Sequence, residues 1–257
     1  MGTIVITGCA GGIGSATRAQ LESDGHRVIG VDVVNAEVIA DLSTAEGRAS
    51  MLTSVDQACG GVLDGLVAAA GISSNGSNEE LVISINYFGA VATLAGLRPM
   101  LARGTNPSAV AISSNSTTAQ VGIPAAAVGA CLANDEPSAR AAAKTAPMNG
   151  YPASKLALAH WVRTNAVSPE WVGAGIRLNA IAPGLIATPM TEGGIEFVLG
   201  LGEIYPVPIH RAGQPHEVAG LLAYLLSPAA AFFVGSFIVM DGGTDAALRA
   251  TDWPAAR

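Results

Sequence analysis

The sequence predicts an α/β chain: a Rossmann-type, doubly wound parallel sheet flanked by helices, folded as one domain over residues 1–257. Three observations carry that reading. Short runs of β-branched and apolar residues alternate with helix-length segments, which is how parallel sheets are built. The first run passes at once into a glycine-rich turn and then a helix. No linker-like break and no internal repeat interrupts the order.

Ile4-Val5-Ile6 reads as a fully buried strand. Gly8, Gly11, Gly12, Ile13 and Gly14 form the turn, and residues 15–22 continue as a helix. A strand, glycine turn and helix in this order suit a dinucleotide pyrophosphate. The backbone can come close, and the helix start offers N–H groups and a positive dipole end. Gly8-x-x-x-Gly12-x-Gly14 has one residue more between its first glycines than the commonest fingerprint, so a plain tight turn is the competing reading. A P-loop is excluded because no Lys lies near.

Arg27–Asp32 is the second strand, and its terminal acid stands 18 residues after Gly14. A carboxylate there accepts ribose hydroxyls and repels a 2′-phosphate, which predicts NAD rather than NADP. Residues 38–43 read as a third strand, with Asp41 and Leu42 at its end and Ser43 or Thr44 capping the next helix. Residues 63–71 read as a fourth, ending in Ala70 and Gly71, small enough for a flat ring or ribose to lie against the backbone.

Residues 79–103 contain a long helix. Asn86 sits in its apolar run and needs a hydrogen-bonding reason to be there. Residues 109–114 form a fifth strand ending in the hydroxyls Ser113 and Ser114. Another helix opens near Gly150, with Tyr151 at its start because Pro152 suits a first turn. Tyr151 and Lys155 lie four apart and share a face, and Lys144 is the only other lysine. Residues 176–182 are a sixth strand, stopped by Pro183-Gly184, and Phe237–Met240 a last one. Two stretches break the pattern. Residues 119–149, rich in Ala, Gly and Pro, are expected to hold one short helix after Asn134-Asp135-Glu136-Pro137. Residues 190–211 are apolar and broken by Gly and Pro, which fits either a mobile lid or an ordinary packed helix.

Composition narrows the function classes. Half of the chain is hydrophobic and 13% charged. The net charge of −7 without a long basic run argues against nucleic acid. No apolar stretch reaches the roughly 18 residues that span a bilayer, and the start does not resemble a signal peptide, so no membrane partner is expected. Cys9, Cys59 and Cys131 are scattered without ligand spacing. Reduced thiols in the cytoplasm, and no metal, are expected. Cys9 reads as a small residue that fits the turn.

Ser114, Tyr151, Lys155 and Asn86, in this order and in this strand–helix setting, resemble the catalytic set of the short-chain dehydrogenase/reductase family. The resemblance runs from about Thr3 to Thr244. It also includes the glycine turn, Asp32, Asp41-Leu42, Ala70-Gly71, Asn179-x-x-x-Pro183-Gly184, Thr188-Pro189 and Asp241-Gly242-Gly243. It implies that Tyr151 exchanges the proton of an alcohol or carbonyl while hydride moves to or from a nicotinamide. Ser114 would hold the substrate oxygen, with Ser113 as its rival. Lys155 would bind the nicotinamide ribose, and Asn86 would hold a water of a proton relay. Thr188 would bond the carboxamide, and Ile186 would make a backbone contact nearby. A free phenol near pKa 10 is a poor base at neutral pH. A neighbouring cation such as Lys155 is expected to favour the phenolate.

The departures narrow the reading. Ser114 and Tyr151 are 37 positions apart, whereas the family commonly keeps them much closer. The extra segment resembles the insertion in the branch of bacterial 3α-hydroxysteroid dehydrogenase/carbonyl reductases. It would cover the helix pair that many members use for tetramers, so a homodimer is expected, with a tetramer as the alternative. The predicted activity is NAD-dependent interconversion of a secondary alcohol and a ketone on a small apolar, steroid-like substrate. Smaller cyclic or terpene alcohols and quinone-like ketones are alternatives, as is a non-catalytic dinucleotide sensor. An enoyl reductase is disfavoured, since those relatives space Tyr and Lys more widely.

Overall fold

The computed structural model describes residues 1–253. Seven parallel strands form one sheet in the order β3-β2-β1-β4-β5-β6-β7. They are β1 (Thr3–Thr7), β2 (Arg27–Asp32), β3 (Val38–Ile39), β4 (Gly65–Ala68), β5 (Ser108–Ile112), β6 (Arg177–Pro183) and β7 (Phe237–Met240). The helices in chain order are α1 (Gly12–Ser23), α2 (Ala45–Cys59), α3 (Glu79–Ile83), α4 (Ala90–Leu101), α5 (Ser116–Ala119), α6 (Ala125–Leu132), α7 (Glu136–Lys144), α8 (Gly150–Ala166), α9 (Ile195–Leu199), α10 (Pro215–Leu226) and α11 (Thr244–Leu248). Strand side chains alternate between two cores. Val5, Leu66 and Ala109 pack with Leu94, Leu97 and Leu158 on one face. Ile4, Ile6, Val67 and Val110 pack with Leu21, Val218 and Leu222 on the other. Strand order reverses between β1 and β4, and in such sheets a crevice opens there at the carboxyl ends of the strands.

Several expected boundaries shift for local reasons. The third strand is only Val38–Ile39. Beyond it the Asp41 carboxylate accepts the Ser43 amide, and Thr44 caps α2 by accepting from the Gly47 amide, so the chain turns instead of extending. The fourth strand stops at Ala68 because Thr7 Oγ1 takes the Ala69 and Ala70 amides, both at 3.1 Å. The long helix is interrupted by a π-helical turn over Ser84–Gly89, which contains Asn86. The 119–149 segment holds two helices, α6 and α7, not one. The sequence of α6, AAAVGACL, has no polar face to mark it. The expectation that no apolar stretch could cross a membrane also needs correcting. The continuous helix Glu79–Leu101 is 23 residues long and apolar enough by length and composition. Its apolar character has a packing cause: Val82, Leu94, Leu97 and Leu101 are fully buried in the core.

Helix α10, for which sequence reading set out no expectation, opens with a capping box between Gln214 and Glu217 and with Pro215 in its first turn. Its far end is held by the buried Arg177 of β6. That guanidinium donates to the carbonyls of Leu225 (2.8 Å), Ala230 (3.0 Å), Ser227 (3.1 Å) and Leu226 (3.3 Å), where a helix leaves its carbonyls unpaired and favours a cation. Replacing Arg177 with Leu strands these buried carbonyls. The expected loss is about 2 kcal/mol or more in urea unfolding. A loss below about 0.5 kcal/mol, the range of ordinary surface substitutions, would show that the contacts are energetically idle.

Candidate active site

A cleft of about 480 Å3 runs along the carboxyl ends of β1, β2, β4, β5 and β6. Every residue expected to bind the cofactor lines it: the glycine turn from Gly8 to Gly14 with Ile13, Asp32, Asp41, Leu42, Ala70, Gly71, Tyr151, Lys155, Pro183, Gly184, Ile186 and Thr188.

The glycines are there for space. Gly8 has φ +71° and its Cα faces the Ala70 backbone, which a Cβ would approach to 2.8 Å. A Cβ on Gly14 would collide with the Gly8 carbonyl. A Cβ on Gly12 would lie 2.6 Å from the Thr188 methyl, so the Thr188 segment can close on the turn only over a glycine. Gly11, at the N-cap of α1, brings no side-chain cap, and no acid occupies the first turn. The helix start can therefore face an anion across the cleft. Asp32, at the end of β2, accepts the Ala10 amide at 2.9 Å and the Val33 amide at 2.7 Å. This ties the second strand to the turn, and a carboxylate retains acceptor capacity beyond two such bonds. A glycine cradle, a bare helix start and an acid at the strand end fit a dinucleotide whose ribose hydroxyls are free.

At the other end, β5 and α8 bring the reactive side chains together. Ser113 donates to the Lys155 carbonyl at 2.9 Å, so this serine is spent on holding α8. The neighbouring Ser114 hydroxyl stands close enough to the Tyr151 phenol to lower its pKa and accepts the Ser116 amide at 3.1 Å. Of the two serines, the second is therefore the one beside the phenol. Lys155 Nζ donates to the Ile112 carbonyl at 2.8 Å and lies 5.7 Å over the centre of the Tyr151 ring.

Burial pushes the Tyr151 phenol up, the Ser114 hydroxyl pulls it down, and the nearby Tyr205 raises it; the net direction is upward. Lys155 meets the face of the Tyr151 ring and donates to the Ile112 carbonyl. Burial likewise lowers Lys155, to about 8. Asn86 is fully buried, and both ends of its amide bond Ile72: Oδ1 accepts the Ile72 amide and Nδ2 donates to the Ile72 carbonyl, both at 2.9 Å. Its side chain clamps the loop after β4, and Oδ1 keeps a second lone pair and Nδ2 a second N–H for a further partner.

Ile186 is held by a bridge to Gly213. Thr188 forms a capping box with Thr191: its amide donates to Thr191 Oγ1 at 3.0 Å, and the two hydroxyls lie 3.5 Å apart. The segment above the cleft carries a short turn over Pro189–Thr191 and the one-turn helix α9. It exposes Met190 (48%), Phe197 (72%), Ile204 (77%) and Ile209 (50%), so it is neither a fully packed helix nor a polar loop. Tyr205 anchors it, hydrogen-bonding to Asn115 at 2.8 Å, while Asn115 reaches Asp241 at 3.2 Å. Sequence reading missed Asn115, Tyr205 and the wall residues Ile72 and Ile85. The first two differ in position by 90, and no local signal links them.

Comparison with known proteins agrees with this architecture. The NAD dependent epimerase/dehydratase family matches residues 4–184, and the family described as enoyl-(acyl carrier protein) reductase matches residues 137–245. The 3-alpha-hydroxysteroid dehydrogenase/carbonyl reductase of Comamonas testosteroni is 41% identical over 260 residues, covering 98% of this chain and 100% of that one. The cis-4-hydroxycyclohexanecarboxylate dehydrogenase of Sinomonas cyclohexanicum is 32% identical, covering 93% and 94%. The crystal structure of the 3-alpha-hydroxysteroid dehydrogenase from Pseudomonas sp. B-0831, complexed with NADH, has a TM-score of 0.90 at 40% identity over 98% of this chain and 100% of that one.

The Lys155 environment makes a stability prediction. The fold penalises its charged form, so the folded chain releases the proton near pH 8 while the unfolded chain keeps it to about 10.5. In that window the unfolded state binds more protons, and stability rises with pH. Unfolding of the wild type and Lys155→Met, followed from pH 8 upward, should show the wild type gaining on the variant. Parallel curves would refute the burial effect.

Proposed function

The chain belongs to the short-chain dehydrogenase/reductase family, and on that premise we propose that it is an NAD-dependent dehydrogenase and carbonyl reductase of a 3α-hydroxysteroid or a similar apolar cyclic alcohol. The observation that carries the reading is the placing of Tyr151 and Lys155 in the lining of one cleft with Asp32, and of the Ser114 hydroxyl beside the phenol. A bound nicotinamide dinucleotide supplies the acceptor or donor of hydride. The chain's own residues do the rest. The glycine turn and the α1 start receive the pyrophosphate, and Asp32 receives the ribose hydroxyls. Ser114 donates a hydrogen bond to the substrate oxygen and fixes it beside the phenol. Tyr151 takes the hydroxyl proton during oxidation and returns one to the carbonyl oxygen during reduction. Lys155 anchors the nicotinamide end of the cofactor and adds positive charge close to the ring of Tyr151.

The apolar face of residues 190–211 supports the substrate class. Met190 lines the cleft, Phe197, Ile204 and Ile209 of the same segment are exposed, and no Lys or Arg lies between Met190 and Ile209 to meet a charged group. The names of the relatives point the same way. The second reading, a smaller cyclic alcohol, is favoured by the hydroxycyclohexanecarboxylate dehydrogenase among them. We further assign the protein to the cytoplasm and to a homodimer. Three free cysteines suit a reducing compartment. Helices α6 and α7 pack on α8 and α3, which supports an assembly that does not stack this face.

NADH formation, followed by absorbance, should be seen with a 3α-hydroxysteroid and not its 3β epimer, with a small cyclic secondary alcohol as control. Tyr151→Phe should lower turnover by about 10²-fold or more with NAD binding by calorimetry retained. Activity on the small alcohol alone would discard the steroid assignment, and undiminished turnover in the Phe variant would remove Tyr151 from the chemistry. In a separate test, Asp32→Ala should lose preference for NAD over NADP by about 10-fold, the loss of one charge-assisted contact. An unchanged ratio of kcat/KM for the two cofactors would assign that choice to another residue.

A further inference from the structure

Glu79, the first residue of α3, is 3% exposed and does not line the cleft. Its Oε1 accepts the Met148 amide at 3.0 Å. Its Oε2 accepts the Gly150 amide at 2.9 Å and the Ser74 hydroxyl at 2.7 Å. Ser74 in turn accepts the amide of Tyr151 at 3.3 Å. Three donors thus converge on two oxygens. An ionised carboxylate, which only accepts, satisfies them all. A glutamine there would have to turn an N–H against a donor.

The start of α8 otherwise has no side-chain cap: Asn149 occupies the N-cap position without such a bond. A helix start favours a negative charge, and Glu79 supplies it from 71 positions away. Gly150 makes the room, since a Cβ there would collide with Glu79 Oε2. The same carboxylate therefore holds the exit of the 119–149 segment at Met148, the loop after β4 at Ser74, and the first turn of the helix that carries Tyr151. The neighbouring Glu80 faces outward, toward Lys144 at 3.4 Å and Arg140 at 3.9 Å of α7.

We propose that Glu79 is a positioning residue for Tyr151: a buried carboxylate that, with Ser74, fixes the first turn of α8 so that the phenol meets Ser114. This rests on the acid–base reading of Tyr151. Its effect is on geometry at the reacting atom, not on binding. A displacement on the order of 1 Å at such a group costs about 10²-fold in rate.

The test compares Glu79→Ala, Glu79→Gln and Ser74→Ala with the wild type, using NAD and whichever secondary alcohol the wild type oxidises. Glu79→Ala should lower kcat by about 10- to 100-fold, Glu79→Gln less and Ser74→Ala least. The calorimetric Kd for NAD and the KM for the alcohol should stay within about threefold of wild type, under 1 kcal/mol. Amide hydrogen exchange should show lost protection confined to residues 148–153. A Glu79→Ala kcat within twofold of wild type would overturn the proposal. So would a parallel loss of NAD affinity and of protection across the chain in both Glu79 variants with Ser74→Ala unaffected, since that pattern marks a purely structural acid. A wild type silent on every secondary alcohol would defeat the functional reading, and hydrogen exchange would still decide the anchor: unchanged protection at 148–153 in Glu79→Ala and Ser74→Ala would overturn it.

Discussion

At Gly14 a side chain would strike the Gly8 carbonyl, and at Gly12 it would come within 2.6 Å of Thr188. This shortage of space between β1 and α1 is the constraint on which the rest of the cleft depends. Because the turn is bare, α1 can begin directly against β1 and point its amides across the strand ends. Because Gly12 is bare, the chain leaving β6 can fold over the turn and bring Thr188 against it. The same turn receives the Asp32 carboxylate through the Ala10 amide at 2.9 Å, which joins the second strand to it. One stretch of backbone therefore sets the floor and both walls of the cleft at this end.

The other end solves a different problem. Ser114 and Tyr151 must meet although the segment between them is long enough to fold into helices of its own. Two buried bonds bring this about. Ser113 reaches the Lys155 carbonyl from the end of β5, and Glu79 takes the Gly150 amide at the mouth of the 119–149 segment. The first locks the strand end to the second turn of α8, and the second locks the start of that helix. With both ends of this turn fixed, the length of the intervening segment matters little to the phenol. Loop-closure entropy grows only slowly with length, so an insertion here is tolerated as long as the anchors hold.

The parts of this arrangement that were legible in the sequence are those carried by local pattern. The glycine turn, the acid ending β2, the two hydroxyls after β5 and the Tyr151–Lys155 spacing all sit where strand and helix periodicity place them. Helix α6 was not legible because eight small apolar residues have no polar face. Helix α10 carries a readable Gln-Pro-x-Glu start, but its stop depends on Arg177, an arginine 48 positions away from Leu225. The contacts of Glu79, and the Asn115–Tyr205 pair, were illegible for the same reason: their partners are distant in sequence, and a single acid or tyrosine has no pattern of its own. The exact use of Asn86 escaped as well. Its burial was foreseeable, but its choice of Ile72 rests on the π-helical turn, which sequence periodicity does not announce.

Burial acts on the two titrating groups in opposite directions, and this bears on how the pair works. Removing water raises the phenol of Tyr151 and lowers the ammonium of Lys155, because in each case the charged form loses solvation. The enclosed site thus favours a neutral phenol, suited to giving a proton to a carbonyl oxygen. Taking a proton from an alcohol requires the opposite bias. The Ser114 hydroxyl beside the phenol supplies part of it, and any positive charge brought into the cleft beside the ring adds to it. Reduction and oxidation therefore draw on different features of the same site: burial for the one, and for the other the Ser114 hydroxyl with a neighbouring cation. The balance between them is set by how closely the first turn of α8 holds Tyr151 to Ser114.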